Sequence, residues 1–278
     1  MPEFRFKRFS VLNEQSAMKV NTDGVLLGAA VSLGVPASDY LRAVVPAPEG
    51  FPVVDVALQP ARSEGSPEPY PCAGGPLRCL DIGTGTGTIA LMLAQRLSDL
   101  GQPFRIDAID IDVPSAEEAG ANFSRSPWAD SLAVFRTPLQ TFEPTGPYDL
   151  IVSNPPYYDD SLRNPDPRKA DARHTESLSY ADVFAFASLH LAPGGRVALV
   201  LPSEAERPLL RSARSSGLPP ARLLRISTAS GKPPRRIIAE FLKSESPLPL
   251  REQSRTIMQE GRYTGEYTAL LQDFYINM

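Results

Sequence analysis

Cysteine and histidine are nearly absent from this 278-residue chain: Cys72, Cys79, His174 and His190 are the whole supply. That scarcity argues against a disulfide framework and leaves no cluster with metal-ligand spacing. No metal is expected, and Cys79 should pack as a small apolar side chain. Long hydrophobic runs are also missing, none approaching the roughly 20 residues of a membrane span. Met1 to Arg8 lacks the apolar core of a secretory signal. The expectation is a cytoplasmic protein with no membrane partner. Charge of one sign is not in large excess either. A net charge of -4 gives no global pull towards nucleic acid, so any such contact must come from local patches.

Proline, by contrast, is plentiful at 29 residues. Nine of them lie within 35–76, together with Gly50, Gly65, Gly74 and Gly75. This stretch reads as an exposed insertion or long loop, with Val53 to Leu58 as a candidate short strand. From Leu77 the pattern becomes regular. Apolar runs at 77–82, 104–110, 132–135, 148–152 and 196–201 predict strands. Helical spacing at 88–97, 115–123 and about 180–191 predicts helices between them. Ser179-Tyr180-Ala181-Asp182 has capping-box spacing with Asp for the usual Glu or Gln. Near-continuous apolar strands alternating with helices imply an α/β fold with a doubly wound, mostly parallel sheet covered on both faces. Residues 221–227 and 236–241 predict an antiparallel C-terminal strand pair closing a seven-stranded sheet.

The loop after the first of these strands reads Leu80-Asp81-Ile82-Gly83-Thr84-Gly85-Thr86-Gly87. In an open parallel sheet, ligands bind beyond the carboxyl ends of the strands at the point where strand order reverses. Gly83, Gly85 and Gly87 would let backbone approach such a ligand. A dinucleotide fingerprint requires glycine at the sixth position from Gly83, where Thr88 stands, so NAD or FAD is disfavoured without being excluded. S-adenosyl-L-methionine has no pyrophosphate but carries an ammonium and a sulfonium, which suits an acid such as Asp81 beside the loop. Asp110, followed by Ile111, ends the second strand and is placed to accept bonds from ribose hydroxyls. Asp112 is the alternative for that role, or simply the cap of the next helix. Thr137-Pro138-Leu139-Gln140 should line an adenine pocket. The competing reading is a glycine turn with no ligand.

Ser153-Asn154-Pro155-Pro156-Tyr157 follows a later strand and supplies the chemistry. An exocyclic amine on a base is a poor nucleophile because its lone pair is delocalised into the ring. The Asn154 side-chain oxygen and the Pro155 carbonyl can accept both N–H hydrogens, in a loop stiffened by Pro155 and Pro156. Tyr157 offers a flat face for stacking an extruded base. The alternative is a turn after a buried strand. His190 lies among Phe184, Phe186 and Leu189 and reads as structural.

At this point the chain resembles the tRNA(Val) (adenine-N6)-methyltransferases, class I enzymes with a Rossmann-like fold that methylate adenosine 37 of the tRNA. The likeness is carried by Phe6-Lys7-Arg8-Phe9, Met18-Lys19-Val20-Asn21-Thr22-Asp23-Gly24, the glycine loop and Ser126-Pro127-Trp128. It continues through Ser153 to Tyr158, Arg173-His174-Thr175, Pro234-Arg235-Arg236 and Tyr267 to Tyr275. The resemblance implies that residues 1–34 cap the cofactor pocket, with Thr22 and Asp23 near the methionine end, and that 77–278 form the catalytic domain. Thr22 or Asp23 could equally cap a helix running to Ala30. Asn21 stands where the family usually has glycine, which bears on the local backbone. A tRNA partner is implied, with Lys7, Arg8, Lys19, Arg173, His174, Lys232, Arg235 and Arg236 as contacts. A solvated strand pair is the bland account of the 221–236 arginines. Two rival functions stay open: a release-factor glutamine methyltransferase, whose amide nitrogen is also planar, and a non-catalytic RNA-binding module.

Overall fold

A computed structural model describes residues 3–16, 18–33, 75–156, 178–245 and 249–278. The chain opens with an antiparallel hairpin, β1 (Glu3–Arg5) and β2 (Ser10–Leu12), followed by helix α1 (Thr22–Ala30). The sheet then begins with β3 (Leu77–Ile82), α2 (Thr88–Asp99), β4 (Phe104–Asp110), α3 (Val113–Ser124), β5 (Leu132–Arg136) and β6 (Tyr148–Ser153). It continues with α4 (Tyr180–His190), β7 (Leu191–Pro202), α5 (Glu206–Ser215), β8 (Pro220–Ala229) and β9 (Arg236–Leu242). Strands β10 (Arg251–Gln259) and β11 (Arg262–Tyr263) and helix α6 (Gly265–Leu271) complete the chain. Of the proline-rich stretch only Gly75 and Pro76 are among the described residues; the candidate strand at 53–58 lies outside them.

The sheet order is β11-β10-β8-β9-β7-β6-β3-β4-β5. Strands β5, β4, β3, β6 and β7 are parallel, and β9 runs antiparallel to both β7 and β8. The seven expected strands are therefore all present, but among the described residues the sheet has nine. Strand β10 adds parallel to β8, and β11 hairpins back on β10. The extra pair escaped the sequence pattern because β10 is Arg-Glu-Gln-Ser-Arg-Thr over its first six residues and largely exposed. An edge strand with one wet face carries little apolar signal.

Local rules account for the helix starts. Asn21 accepts from the Gly24 N–H and caps α1; Asp112 caps α3; Ser179 and Asp182 form the reciprocal capping box of α4. The cap of α1 is thus Asn21, not Thr22 or Asp23, and the residue that departs from the family pattern has a job a glycine does less well. Two apolar clusters lie on opposite faces of the sheet. One joins α1, α2, α6 and the N-terminal hairpin; the other gathers α4 and α5. Glu240 of β9 is 1% exposed, yet its charge is matched by Arg196 at 3.1 Å and Arg222 at 2.7 Å. It also accepts from the Ser32 N–H and Oγ–H, both at 3.1 Å, tying the end of α1 to the sheet.

Candidate active site

The chain builds outward from β3 to β4 and β5, then returns to place β6 on the other side of β3. That reversal makes the β3–β6 seam the switch point. Ile82 pairs with Ser153 in register, and the Ser153 hydroxyl donates to the Ile82 carbonyl at 2.8 Å. The next residues along the two strands are Gly83 and Asn154. Strand pairing alone therefore sets the glycine loop beside the Asn-Pro-Pro turn.

The loop is stitched to its neighbour strand. Gly83 and Thr84 N–H groups donate to the Ile109 carbonyl at 2.9 and 3.0 Å, and the Gly85 N–H donates to Asp110 Oδ2 at 2.8 Å. Gly87 has φ of 80°, and a Cβ there would sit 2.5 Å from Phe123 Cε1, so only glycine fits between loop and α3. Asp110 Oδ1 accepts from the Asp112 N–H at 2.9 Å, and burial raises the Asp110 carboxyl above its usual range. Ile111, beside it, is 53% exposed, an apolar surface open to a planar ring. The Thr137 N–H donates to the Asp110 carbonyl at 3.0 Å, which draws the turn at Leu139–Thr141 towards this corner. There Leu139 is buried and Gln140 exposed. Asp112 serves its helix cap.

Asp81 departs from the expectation of an acid facing the ligand. It is fully buried beneath the loop, where Oδ2 accepts from Thr84 Oγ1 at 2.7 Å and from the Ala90 N–H at 3.3 Å. Burial pushes its pKa up to about 7 against those two bonds, with Asp110 adding to the rise, and among the described residues Oδ1 has no hydrogen-bond partner. Its carboxyl braces the turn from below rather than lining the cleft.

A shallow cleft, partly open to solvent, runs between residues 18–21 and the loop, with Asn154 in its lining. Asn21 and Gly24 line it. Thr22 is exposed, and Asp23 is ion-paired with Arg236 instead. Asn154 is 5% exposed and its Nδ2 donates to Met18 Sδ at 3.4 Å. Pro155 is buried and Pro156 exposed. Tyr157, Arg173 and His174 lie outside the described residues.

Sequence reasoning missed how the segment over the cleft is held. Glu118 of α3 accepts three backbone N–H bonds, from Glu14 (2.7 Å), Gln15 (2.9 Å) and Ser16 (2.9 Å). Asn122 accepts from the Leu12 N–H at 2.6 Å and donates to Leu12 and Thr86 carbonyls. Ser115 Oγ bonds Ser16 Oγ at 3.1 Å. Burial opposes ionisation of Glu118, but the three N–H donors and nearby Lys19 hold its carboxyl below the usual range. The readable signal was three polar residues, Ser115, Glu118 and Asn122, recurring on the face of α3 that also carries Ala119 and Phe123.

The basic residues divide. Lys7 donates to the Gln272 carbonyl at 2.6 Å; Arg8 pairs with Asp99 and lies 5.7 Å from the Trp128 ring centre. Lys19 donates to the Glu14 carbonyl. Arg222, Arg225 and Arg236 are matched by Glu240, by Glu206 with Glu252, and by Asp23. The acids that neutralise these arginines come from other parts of the chain. Lys232 and Arg235 remain exposed. Among the described residues no group of three or more His, Cys, Asp or Glu could hold a metal, and no helix is long and apolar enough to cross a membrane.

Residues 76–212 match the family model of the methyltransferase small domain. The chain is 37% identical over 279 residues to the tRNA1(Val) (adenine(37)-N6)-methyltransferase of Parabacteroides distasonis, covering 100% of this chain and 99% of that protein. It is 34% identical to the protein of the same name from Trichodesmium erythraeum, over 99% of this chain and 98% of that one. Among solved structures, a "predicted O-methyltransferase" from Agrobacterium tumefaciens shares the fold, with a TM-score of 0.52 at 16% identity over 71% of this chain and 89% of that one.

Proposed function

The chain belongs to the tRNA1(Val) (adenine(37)-N6)-methyltransferase family, and on that premise we propose that it transfers a methyl group from S-adenosyl-L-methionine to N6 of adenosine 37 in a valine tRNA. The observation that carries this reading is the Ile82–Ser153 register, which brings a cofactor loop and an amine-binding turn out of adjacent strands. The site suits the methyl donor. Asp110 can accept from the ribose hydroxyls, Ile111 offers an apolar face, Leu139 and Gln140 flank the adenine side, and Gly83 and Gly85 border the cleft without side chains. Asp81 positions that loop. Residues 1–34 act as a cap, with 77–278 as the catalytic domain and 35–76 as an insertion between them.

When bound, S-adenosyl-L-methionine supplies an electrophilic methyl group on its sulfonium. Asn154 Oδ1 and the Pro155 carbonyl accept the two N6 hydrogens, pulling the nitrogen towards tetrahedral geometry and freeing its lone pair. Rate enhancement then comes from holding the amine in line with the methyl group. The surplus proton leaves to solvent, so no imidazole is needed.

Labelled methyl donor should mark unmodified tRNA and leave release factor unlabelled. Label on protein alone would replace this reading with the glutamine one. That rival finds little support at the N-terminus, where the described residues before the insertion form one hairpin and one helix.

A further inference from the structure

Helix α5 carries three arginines that the reaction above does not use. Arg207, Arg211 and Arg214 recur at i, i+4 and i+7, which places them on one face of the helix. All three are exposed, and none forms an ion pair with a described residue. The opposite face, Leu209 and Ala213, is buried against the sheet. No acid follows Glu206 in the helix, and Glu206 itself is occupied by Arg225 through bonds of 2.9 and 2.6 Å. Five other arginines (78, 196, 222, 225 and 236) each have a carboxylate from elsewhere in the fold. What sets the α5 arginines apart is that three of them lie side by side on one helix face of a protein of net charge -4. Neighbouring like charges on a helix repel one another, and an external anion would relieve them.

The position of the stripe says which anion. Ser153 pairs with Leu199, so the end of β7 lies beside the Asn154 turn. The Ser203 N–H just beyond it donates to the Arg235 carbonyl at 3.2 Å. Helix α5 starts three residues later and runs back from that edge. Exposed Lys232 and Arg235 stand at the edge, and Arg207, Arg211 and Arg214 continue away from it. The three arginines span about 10 Å of helix axis, a length matching roughly three phosphates of one nucleic-acid strand.

We propose that this face of α5 is a docking rail for the sugar–phosphate backbone of the substrate RNA on the side leading away from the target adenosine. The proposal rests on the RNA substrate assigned above. Phosphate contacts of this kind set register and affinity without reading sequence.

The test measures tRNA affinity against salt concentration for the full chain and for R207Q/R211Q/R214Q. The triple variant should bind tRNA about tenfold or more weakly at low salt. Its log-affinity versus log-salt slope should be smaller by about 2 to 3. R207K/R211K/R214K, which keeps the charges, should retain the slope. Affinity for S-adenosyl-L-methionine and the thermal midpoint should match the unsubstituted protein. If the triple variant is unstable, single Arg→Gln changes should each lower the slope by about 1. An unchanged slope and affinity in a folded Gln variant, with tRNA methylation intact, would overturn the rail alone. Failure of the unsubstituted protein to bind or methylate tRNA would overturn the substrate reading and the rail with it.

Discussion

Asn154 Nδ2 donates to Met18 Sδ at 3.4 Å across a sequence separation of 136 residues. The methionine belongs to the segment that Glu118 clamps over the cleft, and its carbonyl would lie 3.3 Å from a Cβ at Gly85. One residue thus touches both the Asn154 turn and the glycine loop. The 14–18 segment, loop and turn pack as one unit, and on the proposed function substitutions in each should separate by the kinetic quantity they change.

On the proposed mechanism, replacing Asn154 with Ala removes one of the two acceptors for the amine. Single-turnover methylation of tRNA should slow by about a hundredfold or more, while the midpoint of thermal unfolding moves little. A variant retaining near-normal turnover would place the chemistry elsewhere.

Asp110→Ala should act on cofactor binding. Loss of charge-assisted bonds costs about 1.5–3 kcal/mol, so the KM for S-adenosyl-L-methionine should rise roughly tenfold to a hundredfold. Part of that cost falls on the Gly85 N–H, which loses its own acceptor. Isothermal titration with the methyl donor checks the binding term directly.

Glu118→Ala strands three backbone N–H groups of residues 14–16 and should destabilise the protein by about 2–3 kcal/mol. It should also weaken cofactor affinity with a smaller change in tRNA affinity. Because its folded pKa is depressed below 4.5, Glu118 contributes stability above that pH. The contribution disappears as pH falls through the folded value. Acid unfolding of wild type and variant should therefore converge at low pH; curves that remain parallel would remove the clamp.

Asp81 has the opposite sign. Its pKa rises from 3.8 to about 7 on folding. Between those values the unfolded chain has released the proton and the folded one still holds it. Stability therefore falls as pH rises through that window and is level above it. Asp81→Asn keeps an acceptor for Thr84 and Ala90 and abolishes the titration. The variant should gain on wild type from pH 4 to 7, by a few kcal/mol at most, as read from thermal midpoints across that range.

Arg236 and Asp23 form an ion pair between β9 and the first turn of α1. Both are partly buried, at 30% and 18% side-chain exposure, and a double-mutant cycle should return a coupling of about 1 kcal/mol. Arg236→Ala should leave the salt slope of tRNA binding unchanged, unlike the α5 arginines. A reduced slope would restore Arg236 to the RNA surface.

Most of the central sheet was legible because its signals are local. Strands β3 and β4 match their apolar runs residue for residue, and Ser179 with Asp182 forms the expected box. The N-terminal hairpin and the outer strands β10 and β11 were not, being short or half wet, with little periodicity to read; α5 went unread although its charged and apolar residues separate onto opposite faces. In the site, Asp110 and Asn154 stand where strand-end logic put them. Asp81 is buried beneath the loop, a placement the sequence does not record, because an acid next to a glycine loop looks the same whether it points up or down.

By itself, the sequence determined the order of the central strands β3 to β7 and the helices α2 to α4 between them, the positive-φ turn at Gly83 to Gly87 and the rigid Asn-Pro-Pro corner. These follow from side-chain period and backbone restriction within a few residues. Only the tertiary structure decided which charges are neutralised, which acid is buried and what holds the cap. Glu118 meets residues 14–16 across about a hundred positions, and Asp23 meets Arg236 across 213. Such partners are chosen by packing, and no local pattern records them.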